Sequence, residues 1–509
     1  MGLYITSWWA EAGELSSYGS DKMHTGSVAA VFTQVVRHYM HGPPPAVPPD
    51  MNCGKAVRIM RELPATCVIV TSPDGKPEGI LTKRDILRRI TYLKDESTPV
   101  SSVMTSPLRT IRDNDYLYRG IATMNRNGLR HLPVIDHDGL LCGILHLKDT
   151  LSKSINRVVE LIESLTHEET REGLKKVKEA EVEFVEALFE EHVPTPEILK
   201  LLTQINNDIY RGVQAVVQRE MRDDGWGDPP VDFCMIVMGA GGRGESFLTP
   251  DQDYGFILQD YPDSQHMAVD SYFIELARRI SIMLDEVGIP ECKGYVMAVN
   301  PQWRKTLTQW KTQINYWLEH PSQATLRYAD IFFDFRNVTG DSTLSNSLRH
   351  YITGAVSNQH VFLREMHLSQ KEHGVALGLF GRLSTAHKNV LDGRIDLKYN
   401  GLLPLVESVR LMALKHGTEE TATLLRMSSL NKTGFIDEVE LEALRSAFNH
   451  LTFLILRQQR QDFEMGIEAR ASVSSQSLTK MEKNILIESL RSVSDLREKV
   501  RMDLTADVV

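Results

Sequence analysis

The hydrophobic pattern of the first third of the chain is written twice. CVIV (Cys67 to Val70) is a short apolar run, SPDG follows as a turn, GILT opens a second run, and KRDILRRI has helical spacing. The order returns without a gap at an offset of 64 residues, as from Val36 to Val100. Met40 pairs with Met104, Pro43 with Pro107, Val47 with Ile111, Met60 with Met124 and Val70 with Val134. Asp74 and Gly75 meet Asp138 and Gly139, Gly79 to Leu81 meet Gly143 to Leu145, and Asp85 meets Asp149. Matches of residue type in register over such a length define a duplicated unit. Each copy is predicted as helix, strand, turn, strand, helix.

From Leu151 to about Gly225 the pattern turns helical and acidic, as in HEETREGLKKVKEAEVEFVEALFEEH. Val177, Val182, Val185 and Leu188 share a helix face with the charges outside, the pattern of a solvated linker, and GWGDPP closes it. VDFCMIVM (Val231 to Met238) then predicts a buried strand. SQHMAVDSYFIELARRISIMLDEVG (Ser264 to Gly288) predicts an amphipathic helix ended by glycine, and GYVMAVN (Gly294 to Asn300) is strand-like. Trp303, Leu307, Trp310, Ile314 and Trp317 form a helical stripe, read as a core face. From about His360 onward a helical bundle is expected. Within it, SLNKTGFIDEVE (Ser429 to Glu440) lacks the first ligands of a calcium loop and reads as a helix–turn–helix connection.

Composition adds bounds. The 509 residues suffice for three or four domains, and 42% hydrophobic with 24% charged residues is ordinary for a globular protein. A net charge of −10 argues against a nucleic-acid partner. Five cysteines without metal spacing read as buried thiols in a reducing cytoplasm. No apolar run of about 18 residues is present, so no membrane-spanning helix is expected, and the first residues lack the pattern of a signal peptide.

The chemistry concentrates in MGAGGRGESFLTPDQDYGFIL, Met238 to Leu258. Gly239, Gly241 and Gly242 let backbone N–H groups approach a phosphate, and Arg243 offers a planar fork for its oxygens. In DQDYGFIL, alternation along a strand puts Asp251 and Asp253 on one face. Adjacent carboxylates repel unless a cation lies between them, and Mg2+ or Mn2+ takes such oxygens together with substrate phosphates. The combination suits metal-assisted phosphoryl or nucleotidyl transfer.

The duplicated unit resembles a pair of CBS modules, which commonly bind adenosine nucleotides between two copies. That family's ribose-binding pattern is a Thr or Ser three residues before an Asp. GILTKRD supplies Thr82 and Asp85, whereas GILHLKD keeps Asp149 but has His146 for the hydroxyl residue. The alternative role of these aspartates is to cap the following helices. Met238 to Leu258 resembles the polymerase-β nucleotidyltransferase superfamily, with its Gly-Ser turn followed by Asp-x-Asp. More narrowly, the chain is similar to the bacterial CBS-paired family described as putative nucleotidyltransferases, relatives of the nucleotidyltransferase domain of protein-PII uridylyltransferase. CKGYVMAVNPQWRK, DIFFDFRNVTG and IDLKYNGLLPLVESVRLMAL extend that likeness.

The resemblance implies an α/β plus all-α architecture. A tail over 1–34 precedes a CBS pair over 35–153, with copies at about 35–98 and 99–153, and a helical linker over 154–228. A polymerase-β-like nucleotidyltransferase domain with a mixed sheet follows over 229–345, then a helical substrate-binding-like domain over 346–509. It implies transfer of a nucleoside monophosphate from an NTP to a hydroxyl, with Asp251 and Asp253 holding metal and an adenine nucleotide regulating through the CBS pair. An acceptor protein and a homodimer through the CBS pair are the implied partners, and no membrane.

Two departures bear on catalysis: Ala240 stands where the family usually has Ser, and Tyr254 where it has Asn. A third carboxylate is not evident; Glu245 and Asp334 are the candidates. Lys398 and Arg410 are candidate substrate contacts. The alternatives are a catalytically inactive nucleotide-sensing module, favoured by Ala240, and metal-dependent phosphate hydrolysis.

Overall fold

A computed structural model describes residues 32, 34–63, 65–85, 97–146, 170–370, 374–378, 382–383 and 394–506. Trp8, Trp9 and Asp149 lie outside the described residues. The chain divides into two compact units, Met1–Thr166 and His167–Val509.

In the first unit both copies follow one plan. β1 (Ala46–Val47) runs parallel to β2 (Cys67–Thr71), which pairs antiparallel with β3 (Pro77–Thr82). β4 (Ile111–Arg112), β5 (His131–Ile135) and β6 (Leu141–His146) repeat that order. Helix α1 (Cys53–Glu62) precedes β2, started by Asn52, whose side chain accepts from the Lys55 N–H; α2 (Leu117–Arg126) is its counterpart. Val47, Ala56, Met60, Val68, Val70 and Leu81 form the core of the first copy. One expectation needs correction: Phe32, assigned to a tail, is fully buried and its ring lies 5.4 Å from that of Tyr118.

The segment expected as a solvated helical linker over 154–228 is helical from Arg171 on, but it packs within the second unit. It forms α3 (Arg171–Glu179), α4 (Glu181–Glu190) and α5 (Thr195–Asp223). Its apolar face is covered: Val177, Val185 and Leu188 are buried. The buried Lys178 ammonium donates to Glu181 at 2.6 Å and to the Leu248 carbonyl at 3.1 Å, and the Thr203 hydroxyl accepts from the Ser246 N–H at 2.8 Å. These helices thereby hold the segment just beyond the glycine-rich turn.

The sheet of this unit has the order β10-β7-β8-β9, with β7 (Phe233–Val237), β8 (Tyr254–Leu258), β9 (Arg304–Thr306) and β10 (Arg336–Gly340). It is mixed: β7 pairs antiparallel with β8 and β10, and β8 parallel with β9. All residues of β7 and β8 are buried, as their continuous apolar runs require. α6 (Gly239–Arg243) follows β7, and α7 (His266–Val287) ends at Gly288 in a left-handed conformation, φ 107°.

Two sequence expectations fail here. Gly294 to Asn300 is an irregular segment, not a strand. Trp303 closes a 3-10 turn before β9, while α8 (Leu307–Glu319) carries Trp310 and Trp317. All three indoles are nonetheless buried. Trp310 stacks on Phe332, at the end of α9 (Gln323–Phe332), with ring centroids 4.2 Å apart.

α10 (Ser342–Val356) and α11 (His360–Ser369) lead into the bundle of α12 (Leu403–Lys415), α13 (Thr423–Lys432), α14 (Glu438–Glu464) and α15 (Lys480–Ala506). A small antiparallel pair, β11 (Arg394–Asp396) with β12 (Ser472–Ser474), interrupts the expected all-helical run. Between α13 and α14, Asp437 and Glu440 form a reciprocal capping box, the helix–turn–helix connection expected in place of a calcium loop.

Candidate functional site

The pairing of β7 with β8 sets Val237 opposite Tyr254 and Ile236 opposite Gly255, so the turn leaving β7 and the segment entering β8 meet at one edge of the sheet. Asp251 and Asp253 lie in that entering segment, one step before the strand on which alternation had placed them. They still converge. Gln252 between them is fully buried, and its amide donates to the carbonyls of Ser281 and Ile289 at 3.0 and 2.9 Å. With the Gln252 N–H bonded to the Pro290 carbonyl at 2.9 Å, the residues after α7 are fastened alongside. That staple sets the flanking aspartates side by side and brings Cys292 beside them. One ligand atom from each of Asp251, Asp253 and Cys292 lies within 4.8 Å of the other two.

Asp251 is exposed. Asp253 Oδ1 is buried and has no hydrogen-bond partner. Burial first, and then the Asp251 charge, push the Asp253 carboxyl up from 3.8 to about 7; the Cys292 thiol, Lys398 and Arg243 act in the opposite direction. Burial, reinforced by the Asp253 charge, raises the Cys292 thiol to about 12. An orphaned carboxylate oxygen beside a second carboxylate is the arrangement a divalent cation relieves, and these residues fit one.

The groove beside the aspartates holds about 200 Å3 and is lined by Ala240, Gly241, Asp251, Asp253 and the exposed Lys398, among others. Lys398 therefore stands at the groove as a candidate substrate contact. A larger, more open depression of about 710 Å3, lined by Tyr261, His266, Arg304, Lys305 and Tyr316 among others, includes neither aspartate. The smaller groove is the candidate because it alone of the two reaches the convergent carboxylates.

The glycines divide by cause. Gly239 has φ 57°, and a Cβ there would stand 3.2 Å from Asp253 Oδ2. At Gly242 a Cβ would lie 1.6 Å from the Asp334 carbonyl oxygen, so backbone packing alone demands glycine. Gly241 has only ordinary contacts, the nearest at 3.6 Å.

Four other candidates are placed differently from the sequence expectation. Arg243 is buried, donating from Nε to Glu245 at 2.7 Å and from Nη1 to Asp334 at 2.8 Å, so its fork is occupied by carboxylates. Glu245, also buried, accepts from the Thr423 N–H at 2.7 Å with its other oxygen. Asp334 has no solvent exposure and accepts from Arg410 and Arg426, each at 2.6 Å, as well as from Arg243. Burial alone would raise its carboxyl, but Arg426, Arg410 and Arg243 hold it well below the ordinary carboxylate range. Arg410 also pairs with Asp330 and is buried. Asp334 is thus the hub of a buried ion network rather than a metal-facing third carboxylate, and Arg410 is a member of that network rather than a substrate contact. Sequence reading missed Arg426, which carries no local signal, and Cys292, counted only as a buried thiol.

In the first unit, Asp85 Oδ2 accepts from the Thr82 N–H at 3.0 Å and from its hydroxyl at 2.6 Å. This caps the turn of helix Lys83–Asp85 and preorganises both side chains at the end of β3. At the equivalent place in the second copy, His146 stands beside His41 and His131, with ring centroids at 5.1 and 5.0 Å, a proximity that spacing along the chain does not show. Among the described residues no helix is long and apolar enough to cross a membrane.

Comparison with known proteins matches four segments of the chain. Residues 36–92 and 100–156 match the CBS domain, 180–324 the domain described as putative nucleotidyltransferase DUF294, and 360–504 the putative nucleotidyltransferase substrate binding domain. Among curated relatives, an uncharacterised 17.7 kDa protein of Acidianus ambivalens is 29% identical over 103 residues, 20% of this chain and 62% of its own. An uncharacterised protein of Methanopyrus kandleri is 28% identical over 18% of this chain and 48% of its own. The inosine-5'-monophosphate dehydrogenase of Methanocaldococcus jannaschii is 27% identical over 21% of each chain. The match thus spans less than two thirds of each of these relatives. A solved CBS domain protein of Pyrobaculum aerophilum complexed with AMP is similar at 21% identity and a TM-score of 0.23, over 25% of this chain and 98% of that one.

Proposed function

The chain belongs to the family that joins a CBS domain pair to the putative nucleotidyltransferase DUF294 and its substrate-binding domain, and from that premise we propose that it transfers a nucleoside monophosphate from an NTP to a hydroxyl acceptor. The observation that carries this reading is the convergence of Asp251 and Asp253, with the orphaned Asp253 Oδ1, on a groove also lined by Ala240, Gly241 and Lys398. A divalent cation such as Mg2+, held by the two carboxylates, supplies charge neutralisation for the phosphates. Asp251 and Asp253 would hold that cation against the triphosphate, and the Lys398 ammonium at the groove would offset the negative charge of the phosphates. The acceptor hydroxyl attacks the α-phosphorus and loses its proton to solvent, the bond to the bridging oxygen breaks, and pyrophosphate leaves. An acceptor protein, as for the PII enzyme, is the proposed partner.

Adenine nucleotide bound in the CBS pair is the proposed regulator, with Asp85 as the ribose acceptor. One carboxylate oxygen holds Thr82, and a carboxylate has further lone pairs for ribose hydroxyls. A cytoplasmic location belongs to the same proposal and rests on composition and cysteine usage alone.

A second reading, a nucleotide sensor without turnover, is favoured by a separate observation: Asp334 is held by buried arginines, and Glu245, although it lines the groove, is bonded to Arg243 and to the Thr423 N–H, so Asp251 and Asp253 are the groove carboxylates that no arginine holds. Incubation with labelled NTPs, a cell extract and Mg2+, Mn2+ or Co2+ in turn, with and without AMP or ATP, separates the two. Transfer of label by wild type that is lost in Asp251→Asn/Asp253→Asn supports the enzyme. No transfer by either protein under any condition overturns it in favour of the sensor.

A further inference from the structure

Beside the aspartate pair the third side chain within ligand distance is a cysteine. Cys292 lies two residues before the irregular segment Gly294 to Asn300. Its position is built: the Gln252 staple to Ile289 and Pro290 fixes the approach, and the Gly294 N–H bonds the sulfur at 3.3 Å. Tyr254 N–H then joins the Val296 carbonyl at 3.0 Å, so both sides of Cys292 are tied to the segment that carries the aspartates.

We propose that Cys292 is the third protein ligand of the cation held by Asp251 and Asp253, which suits the site to a borderline-soft divalent ion of the Co2+ or Zn2+ class over Mg2+. Two independent observations carry it: the mutual approach of the three ligand atoms within 4.8 Å, and the buried Asp253 Oδ1 that no protein group satisfies. A thiolate with two carboxylates is a donor set that Mg2+, a hard ion preferring oxygen and water, uses poorly. As the sulfur–metal bond forms, the thiol proton passes to solvent. The exposed Asp251 side remains open, so substrate oxygens complete the coordination there.

This inference rests on the reading of the aspartate pair as a metal site, and the test separates the two. The full-length protein is titrated with Co2+, and the near-ultraviolet thiolate-to-cobalt absorption is recorded; Mn2+ binding is followed in parallel by electron paramagnetic resonance. Wild type is expected to develop the thiolate band at one equivalent. Cys292→Ser should lose the band and bind Co2+ at least about tenfold more weakly, since loss of an outer-shell partner alone already costs that much, while Mn2+ affinity changes by no more than about threefold, since the carboxylates remain. Retention of Mn2+ binding by that variant also shows that the site is folded. Asp251→Asn/Asp253→Asn should lose both signals. A wild type that binds Mn2+ but shows no thiolate band, or a band that survives in Cys292→Ser, overturns the role of Cys292 alone. Undiminished Mn2+ binding by the double aspartate variant overturns the metal site itself.

Discussion

The Arg410 guanidinium donates to the Asp334 carboxylate at 2.6 Å, and both residues are buried. Arg410 belongs to α12 of the C-terminal bundle, and Asp334 precedes β10 of the sheet. Through Arg243, the same carboxylate reaches the turn that leaves β7. One buried carboxylate therefore ties the substrate-binding-like helices to the glycine-rich turn, through charge.

Replacing Asp334 by Asn should cost about 3–5 kcal/mol, because Arg243, Arg410 and Arg426 would then be buried against too little negative charge. The pH dependence has a definite sign. The native carboxyl lies well below its ordinary 3.8, so the unfolded chain binds a proton that the native protein refuses, and this stabilisation is present above that value and fades as pH falls below it. The gap in urea midpoint between wild type and Asp334→Asn should narrow from about pH 5 to about pH 3. A constant gap over that interval would contradict the network.

Gly241 and Gly242 are neighbours with opposite reasons to be glycine. Gly242→Ala would drive a Cβ to 1.6 Å from the Asp334 carbonyl oxygen and should destabilise by about 1–3 kcal/mol or more. Gly241→Ala meets nothing closer than 3.6 Å and should alter stability by less than about 1 kcal/mol. Since Gly241 lines the groove, its variant should instead weaken NTP binding. Paired thermal melts and NTP titrations read the contrast; equal destabilisation by both variants would refute it.

Much of this was readable along the chain because local physics wrote it there. The offset of 64 residues, as from Val36 to Val100, exposed the repeat, the apolar run of VDFCMIVM marked β7, and DQDYGFIL was read as a strand that in fact begins at Tyr254 as β8. The adjacency of Asp251 and Asp253 survived although both lie outside the strand, because buried Gln252 turns them together. What failed was the accounting of buried charge. Arg243, Asp334, Arg410 and Arg426 are far apart in sequence, and no periodicity announces that they meet. The acidic helices misled for a related reason: Glu181 and Lys178, which look like solvated charges, pair inside the unit.

At the first CBS copy, Asp85 performs a structural task visible in its 2.6 Å bond from the Thr82 hydroxyl. Ribose binding predicts more. Asp85→Ala should weaken AMP binding about tenfold or more by calorimetry, the scale of hydrogen bonds to a charged acceptor. Asp85→Asn keeps a capping oxygen and should retain the local helix turn while still losing most of that affinity. If AMP binds both variants as it binds wild type, the residue is a cap and nothing else.

Ala240 offers the sharpest separation of enzyme from sensor. It follows Gly239 at the head of the turn, and it lines the groove. A serine there restores the hydroxyl usual in the resembled family, in a position open enough that stability should change by less than about 0.5 kcal/mol. One added hydrogen bond to a phosphate oxygen is worth about 0.5–1.5 kcal/mol, so NTP should bind Ala240→Ser about 2–12-fold more tightly in the presence of metal. The consequence for turnover depends on where that bond forms. If it is made in ground and transition states alike, KM falls with kcat unchanged; if it strengthens as charge moves on the α-phosphate, kcat rises as well. A sensor built on the same groove gains affinity and still transfers no label. Ala240→Ser that neither binds NTP more tightly nor turns it over faster would remove the groove from the nucleotide path altogether.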